Sequence, residues 1–379
     1  MAAPVITSLT PYLTLLLLVT VTALTGLAVT RGIAAARPAG PDRPRAGLRA
    51  VPDPFVLVAC AALALFSGLR WYVGSDFDLY ARTYLTEVDP HDLAATLEVS
   101  RFEPGFALLS YGLRQVSDDP RLLFLVCAVL VTGLTYGAYR RLSPVPHASL
   151  VLWVAMGYYL GSMNLVRQSL AAAVLLYAFS LWRTHRVVAV VVGAVGISIH
   201  SSSPLFVVAV VAASLLPFAW RTMYVALAAC LVAASVIVAL PVVAQAAALL
   251  NEEFARYLNQ RGGGLGVLLA AGYRVVLLVA THRLLRGREL DRPLTTALWM
   301  TTFGTCAWLV SASAMWTLRL DDYFGLFTPV LIPLAARAVP AGGARTTYLV
   351  VTSAATLVYF TFYVLNFSGL VPYAWTPFS

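Results

Sequence analysis

The stretch Arg121-Leu-Leu-Phe-Leu-Val-Cys-Ala-Val-Leu-Val-Thr-Gly-Leu-Thr-Tyr-Gly-Ala-Tyr139, followed by Arg140-Arg141, decides the fold. No charged residue stands between Arg121 and Arg140. The run matches the roughly 20 residues that an α-helix needs to cross a hydrocarbon core about 30 Å thick. Outward from it the signature repeats. Candidate spans lie at 7–29, 54–70, 121–139, 149–163, 167–182, 187–200, 203–218, 222–248, 265–284, 294–314, 319–338 and 346–366. The short runs 187–200 and 203–218 read as one hairpin whose turn is buried near one membrane face. The chain of 379 residues is 60% hydrophobic and 11% charged, with mean hydropathy +0.81. Soluble domains carry about 25% charged residues. Too little polar surface exists to cover this chain in water, which excludes a soluble enzyme, a DNA-binding domain and a disordered chain. The expected fold class is all-α: a polytopic integral membrane protein of about 12 transmembrane helices, one transmembrane domain over 1–379 without internal repeats.

The formal charge of +9 comes entirely from arginine, for the sequence has no lysine. Loop 31–53 holds Arg31, Arg37, Arg43, Arg45 and Arg49, and further arginines fall in 140–148, 183–186, 219–221, 283–293 and 337–345. With twelve spans these loops share one side, which the positive-inside rule makes the cytoplasm. No nucleic-acid partner is needed to explain the charge, and both termini face outward. The opposite side differs in character. Segment 71–120 is a large extracytoplasmic loop with nine carboxylates from Asp76 to Asp119 and the aromatic residues Tyr72, Phe77, Tyr80, Tyr84, Phe102, Phe106 and Tyr111. Its end, Gly105 to Val116, is too short to span and reads as an interfacial amphipathic helix. A second extracytoplasmic loop, 250–264, is also charged, and the tail 367–379 is aromatic and proline-rich. Loops that exceed a connector usually carry the site, so function is expected on this outward face. The cysteines Cys60, Cys127, Cys230 and Cys306 lie in apolar runs as small hydrophobes, with no CxxC spacing for zinc or a disulfide framework. The first thirty residues have no basic segment before the apolar run, and Arg31 follows it; this reads as a retained span, not a cleaved signal.

Polar residues that the membrane makes costly mark candidate sites. Asn164, Arg167 and Gln168 sit at i, i+3 and i+4, a spacing that puts them on one helix face as a patch for an anionic or hydroxyl-rich ligand; the alternative is an arginine snorkelling to the headgroups. His200 ends an apolar run before Ser201-Ser202-Ser203-Pro204 and is either a helix-end residue or a general acid or base. Arg319, Asp322 and Tyr323 share a face at the start of a span, as a ligand site or as a local ion pair that stabilises the helix end. Arg274, beside Tyr273, lies about ten residues inside its helix with no acidic partner there. After the second span comes Arg70-Trp-Tyr-Val-Gly-Ser-Asp76-Phe-Asp78-Leu-Tyr80. Its two carboxylates could ligate a divalent metal, one could be a base, or both could be solvated. Glu103-Pro104-Gly105-Phe106 is the last candidate, structural or functional.

In order and spacing these residues resemble the EpsG family. The resemblance runs through Gly68-Leu-Arg70, Gly74-Ser-Asp76-Phe-Asp78-Leu-Tyr80, Glu103-Pro-Gly-Phe106, Arg167-Gln168-Ser-Leu-Ala171 and His200-Ser201-Ser202. It continues in Arg319 with Tyr323-Phe324, Pro329 to Pro333, and Gly369-Leu-Val-Pro372-Tyr373, so it covers about residue 68 to the end. The resemblance implies a Wzy-like, GT-C-type integral membrane glycosyltransferase of the plasma membrane. Such a protein joins undecaprenyl-diphosphate-linked oligosaccharide repeat units into exopolysaccharide on the outer face, with membrane lipid around it and polysaccharide assembly proteins as possible partners. A departing diphosphate needs bidentate donors, for which arginine is suited: Arg167, Arg274 and Arg319, with Arg70 behind them. The acceptor proton could go to Asp76, Asp78, Glu103 or His200. Asp78, Tyr80, Asn164, Gln168, Asp322 and Tyr323 are the further substrate-binding candidates, and the outward aromatic residues are expected to stack on sugar faces. No cofactor is expected, a metal at Asp76 and Asp78 being the less favoured version. The competing readings are a single-transfer GT-C enzyme or ligase with a polyprenyl-phosphate donor, and a flippase for lipid-linked sugars.

Overall fold

The computed structural model describes residues 5–6, 9–36, 53–239, 264–366 and 369–375. Most of the basic loop 31–53 and nearly all of loop 250–264 lie outside the described residues. Helices dominate, and among the described residues four are long and apolar enough to cross a membrane: Thr10–Thr30, Pro120–Leu142, Val267–Leu285 and Gly343–Asn366. Shorter apolar helices accompany them. Several helices begin where an aspartate precedes a proline. Asp53, Asp119 and Asp291 each accept a backbone N–H from the first turn of the helix they open, with Pro54, Pro120 and Pro293 at its start. The cap satisfies an orphan donor, and proline has no N–H to leave orphaned.

The described chain forms two compact units, one from 1–203 with 360–379 and one from 204–359. The first holds α1 (Thr10–Ala36), α2 (Pro54–Gly68), α3 (Phe77–Thr86), α4 (Leu93–Val99), α5 (Pro104–Arg114), α6 (Pro120–Leu142), α7 (Pro146–Ala155), α8 (Tyr158–Gly161), α9 (Val166–Leu181) and α10 (Arg186–Ile199). Helix α9 is its centre, packed against α6 and α10 and buried along nearly its whole length. Helix α2 packs on α1 and α6. Strand β1 (Val5–Ile6) pairs antiparallel with β2 (Tyr373–Ala374), and Arg70, just past α2, bridges to Trp375. Both described ends of the chain therefore meet where α2 ends. The segment 71–120 is built of α3, α4 and α5, and α5 takes the place of the helix expected from Gly105 to Val116.

The second unit holds α11 (Pro204–Leu215), α12 (Trp220–Ala239), α13 (Gly264–Leu285), α14 (Arg292–Ser311), α15 (Asp321–Phe324), α16 (Thr328–Arg337) and most of α17 (Gly343–Asn366). Helix α14 is its core and touches α11, α12, α13, α15 and α16. The expected span 319–338 is not one continuous helix. It is divided into a 3₁₀ turn at Met315–Leu320, α15, a second 3₁₀ turn at Gly325–Phe327, and α16. Pro329 explains the break: it donates no N–H, and its ring conflicts with the carbonyl four residues earlier, at Gly325.

Candidate active site

Glu103-Pro104-Gly105 opens α5, and each residue has a separate task. Pro104 starts the helix. Glu103 takes the N-cap position with extended backbone, yet its carboxylate caps nothing and is free to turn elsewhere. Gly105 lets α5 touch the last turn of α10, for a Cβ there would lie 2.8 Å from both the carbonyl carbon and oxygen of Ser198. This close approach brings Glu103 to His200, the residue that ends α10. Glu103 Oε1 pairs with His200 Nδ1 at 2.6 Å and accepts the Ser201 N–H at 3.0 Å. Its other oxygen, Oε2, is 2.5 Å from the Arg167 guanidinium. Arg167 is the second residue of α9. Its guanidinium lies 5.1 Å over the Phe102 ring and 5.9 Å over Tyr80, and its backbone N–H donates to the Tyr80 hydroxyl at 3.4 Å.

The three ionisable side chains are each 18–19% exposed, so they are held in place yet reachable. Burial by itself would raise the Glu103 pKa. The bonds from His200 and the Ser201 N–H, with the Arg167 charge, outweigh burial and hold the carboxyl well below the usual range. An ionised carboxylate only accepts. His200 must therefore donate through Nδ1, which leaves Nε2 as the basic nitrogen. A histidine oriented through one nitrogen by a carboxylate, next to a planar cation, can take a proton and stabilise a nearby anion.

The other expected residues are placed as follows. Tyr80 is buried and joins this group through Arg167. Asp76 lies at the start of α3 and accepts from the Ser75 hydroxyl at 3.0 Å, while Asp78 pairs with Arg82 at 2.6 Å on an exposed helix face. Among the described residues, no group of three or more His, Cys, Asp or Glu side chains forms a metal site. Arg70 is buried, 1% exposed; it donates to the carbonyls of Ser67, Val73 and Met163 and lies 4.6 Å over Phe124. Asn164, Arg167 and Gln168 do not share one helix face. Asn164 sits in the turn before α9, its backbone N–H bonded to Gly161, and its side chain packs on Gly74, where no Cβ would fit. Gln168 is buried.

The second unit carries its own polar cluster. Arg274, buried in mid-helix, forms a two-pronged pair with Asp321, at 3.0 and 2.6 Å. Trp308 Nε1 donates to the same carboxylate at 2.9 Å, and the guanidinium lies 5.0 Å over the Trp308 ring. Arg319 lies in the last part of the first 3₁₀ turn and is exposed, Asp322 is partly exposed, and Tyr323 is buried against Phe206. Trp308, and the pairing of Asp321 with Arg274, are what sequence reasoning missed. The adjacent Asp321-Asp322 was the available signal, but the pairing with Arg274 runs across 47 positions. Phe102, which carries the Arg167 guanidinium, was noted only as one aromatic residue among many.

The model of the EpsG family matches residues 54–375, most of the chain. No curated protein and no solved structure matches it. The family match and the long apolar helices together make this an all-α membrane protein.

Proposed function

The chain belongs to the EpsG family, a Wzy-like polysaccharide polymerase family, and from that premise we propose that it joins undecaprenyl-diphosphate-linked oligosaccharide units on the outer face of the plasma membrane. The observation that carries the reading is the Glu103 carboxylate, which holds His200 and Arg167 at once. His200 Nε2 takes the proton from the acceptor sugar hydroxyl. The freed oxygen forms a bond to the anomeric carbon of the donor, through an oxocarbenium-like state. The bond from that carbon to the lipid diphosphate breaks, and its electron pair leaves on the phosphate oxygen. Arg167 stabilises that charge with donors beyond the one given to Glu103. Glu103 stays ionised throughout, and it stabilises the imidazolium as it forms. The group uses no metal, and the GT-C-like arrangement of about twelve spans carries it near one membrane face.

Reconstitution tests this. Purified protein in liposomes is supplied with an undecaprenyl-diphosphate oligosaccharide from its own pathway, with and without EDTA, and products are resolved by size. The expected result is a ladder that is indifferent to EDTA and absent in Arg167→Ala. A single added unit, or a reaction stopped by EDTA, points to a one-step transferase. Substrate that crosses the bilayer with no covalent product overturns the enzyme reading.

A further inference from the structure

Most aromatic residues of segment 71–120 are buried. Phe77, Tyr80, Tyr84, Phe102 and Phe106 are buried, so they form the core beneath the site and offer no face to a sugar. Tyr72 is 63% exposed. It is also the one described residue other than glycine with positive φ, at 51°. A tyrosine pays for the left-handed region where glycine or asparagine sits at little cost, and the turn needs only the backbone. Residues kept in such conformations cluster at ligand sites. Trp71 lies beside the Tyr72 ring, centroids 5.3 Å apart at 89°, and Phe77 supports it from below at 5.1 Å. Trp375, 41% exposed, is brought alongside because Trp71 N–H donates to the Ala374 carbonyl and Arg70 bridges to Trp375.

We propose that Tyr72, Trp71 and Trp375, with Ser75 and Asp76 at their edge, form a subsite for the oligosaccharide chain, separate from the Glu103 group. This rests on the glycan reading given above. Polarity selects the occupant. Flat aromatic faces suit the C–H faces of pyranose rings, and Ser75 and Asp76 accept sugar hydroxyls. The nearby cations are committed: Arg70 to backbone carbonyls and Arg121 to Asp119 beneath Trp71. The patch therefore suits an uncharged polyhydroxyl ligand better than a phosphate headgroup. The turn leads directly into α3, whose Tyr80 meets Arg167.

The test uses the purified full chain, lipid-free oligosaccharide of its own repeat as probe, and the reconstituted ladder assay. Tyr72→Gly is expected to weaken oligosaccharide binding about tenfold and to shorten the ladder, while the thermal unfolding midpoint stays level or rises because the backbone relaxes. Tyr72→Phe keeps the flat face and is expected to bind as the parent does. Unchanged affinity in Tyr72→Gly overturns the subsite. So does a lower midpoint in liposomes, but not in detergent, with affinity unchanged, for then the ring is an interfacial anchor of the kind common at membrane surfaces. If the parent makes no ladder yet binds oligosaccharide through Tyr72, the polymerase reading fails and the subsite stands. If the ladder forms and binding ignores Tyr72, the reverse holds.

Discussion

Replacing Glu103 by glutamine separates its role from that of His200. Glutamine keeps the carbonyl oxygen, so His200 Nδ1–H and the Ser201 N–H retain their acceptor. Its amide then faces the Arg167 guanidinium, donor against donor, where the carboxylate had been 2.5 Å away. A hydrogen bond to a charged group contributes about 1.5–3 kcal/mol. With the pair about one-fifth exposed, solvent screening reduces this to about 1–2 kcal/mol, or roughly a 5- to 30-fold loss in kcat. Removing the base itself, in His200→Ala, is expected to cost about 10²- to 10⁴-fold. Because the Glu103→Gln loss runs through Arg167 and the His200→Ala loss through the base, the two losses should nearly multiply in the double variant. Initial rates of ladder formation in liposomes measure all three. Two results refute the reasoning. A double variant no slower than His200→Ala would mean that Glu103 acts through His200 alone and that its contact with Arg167 does not matter to the rate. A loss in Glu103→Gln larger than in His200→Ala would make Glu103 the base.

Four further outcomes follow from the same structure. Asp321→Ala leaves Arg274 charged and buried and should destabilise the protein by about 3–5 kcal/mol, seen as lost monodisperse protein in detergent. Arg274→Met with Asp321→Leu should restore it, and an active double variant would show that Arg274 does not bind substrate. Gly105→Ala places a methyl against the Ser198 carbonyl and must push α5 from α10; overpacking of this kind costs about 1–3 kcal/mol, and activity should fall more than stability as Glu103 leaves His200. Arg167→Lys keeps the charge but loses the planar fork, so it should fold normally and lose at least about tenfold in kcat. Acid stability should also report Glu103. Its folded pKa lies below the ordinary 4.5, so its contribution is complete above that value and is lost as pH falls from there through the folded pKa. The unfolding midpoint of Glu103→Gln should fall less steeply below pH 4.5 than that of the parent.

The sequence made the helices legible because burial in lipid leaves a run of apolar residues that no other fold class needs. Runs 54–70, 121–139 and 265–284 match α2, α6 and α13 within a few residues. The run 319–338 misled, since hydropathy averages over Pro329 and cannot see that the backbone must tighten before it. Asn164 misled for a related reason: a helical spacing rule holds only inside a helix, and α9 starts two residues later, at Val166. The loop aromatic residues were read by composition, and composition does not say which face of α3 or α5 turns inward.

Within the candidate site the chemistry was legible and the geometry was not. Glu103, Arg167 and His200 each stood out singly, because an ionisable group beside an apolar run demands a reason. Their meeting depends on contacts 64 and 97 positions apart, which only packing can make. The small residue that enables one of them, Gly105, carries no chemistry, yet it sets how near α5 comes to α10. The same logic applies to Gly304, where a Cβ would overlap the Asp321 carboxylate and displace it from Arg274. In both clusters an ion pair exists because a glycine on a neighbouring helix face leaves room for it. In this chain, then, glycines that face a carboxylate or the end of a packed helix locate the polar clusters as surely as the charged residues do. Gly304→Ala, which changes no charge, should therefore reproduce the instability of Asp321→Ala in direction, by displacing a carboxylate that it does not remove.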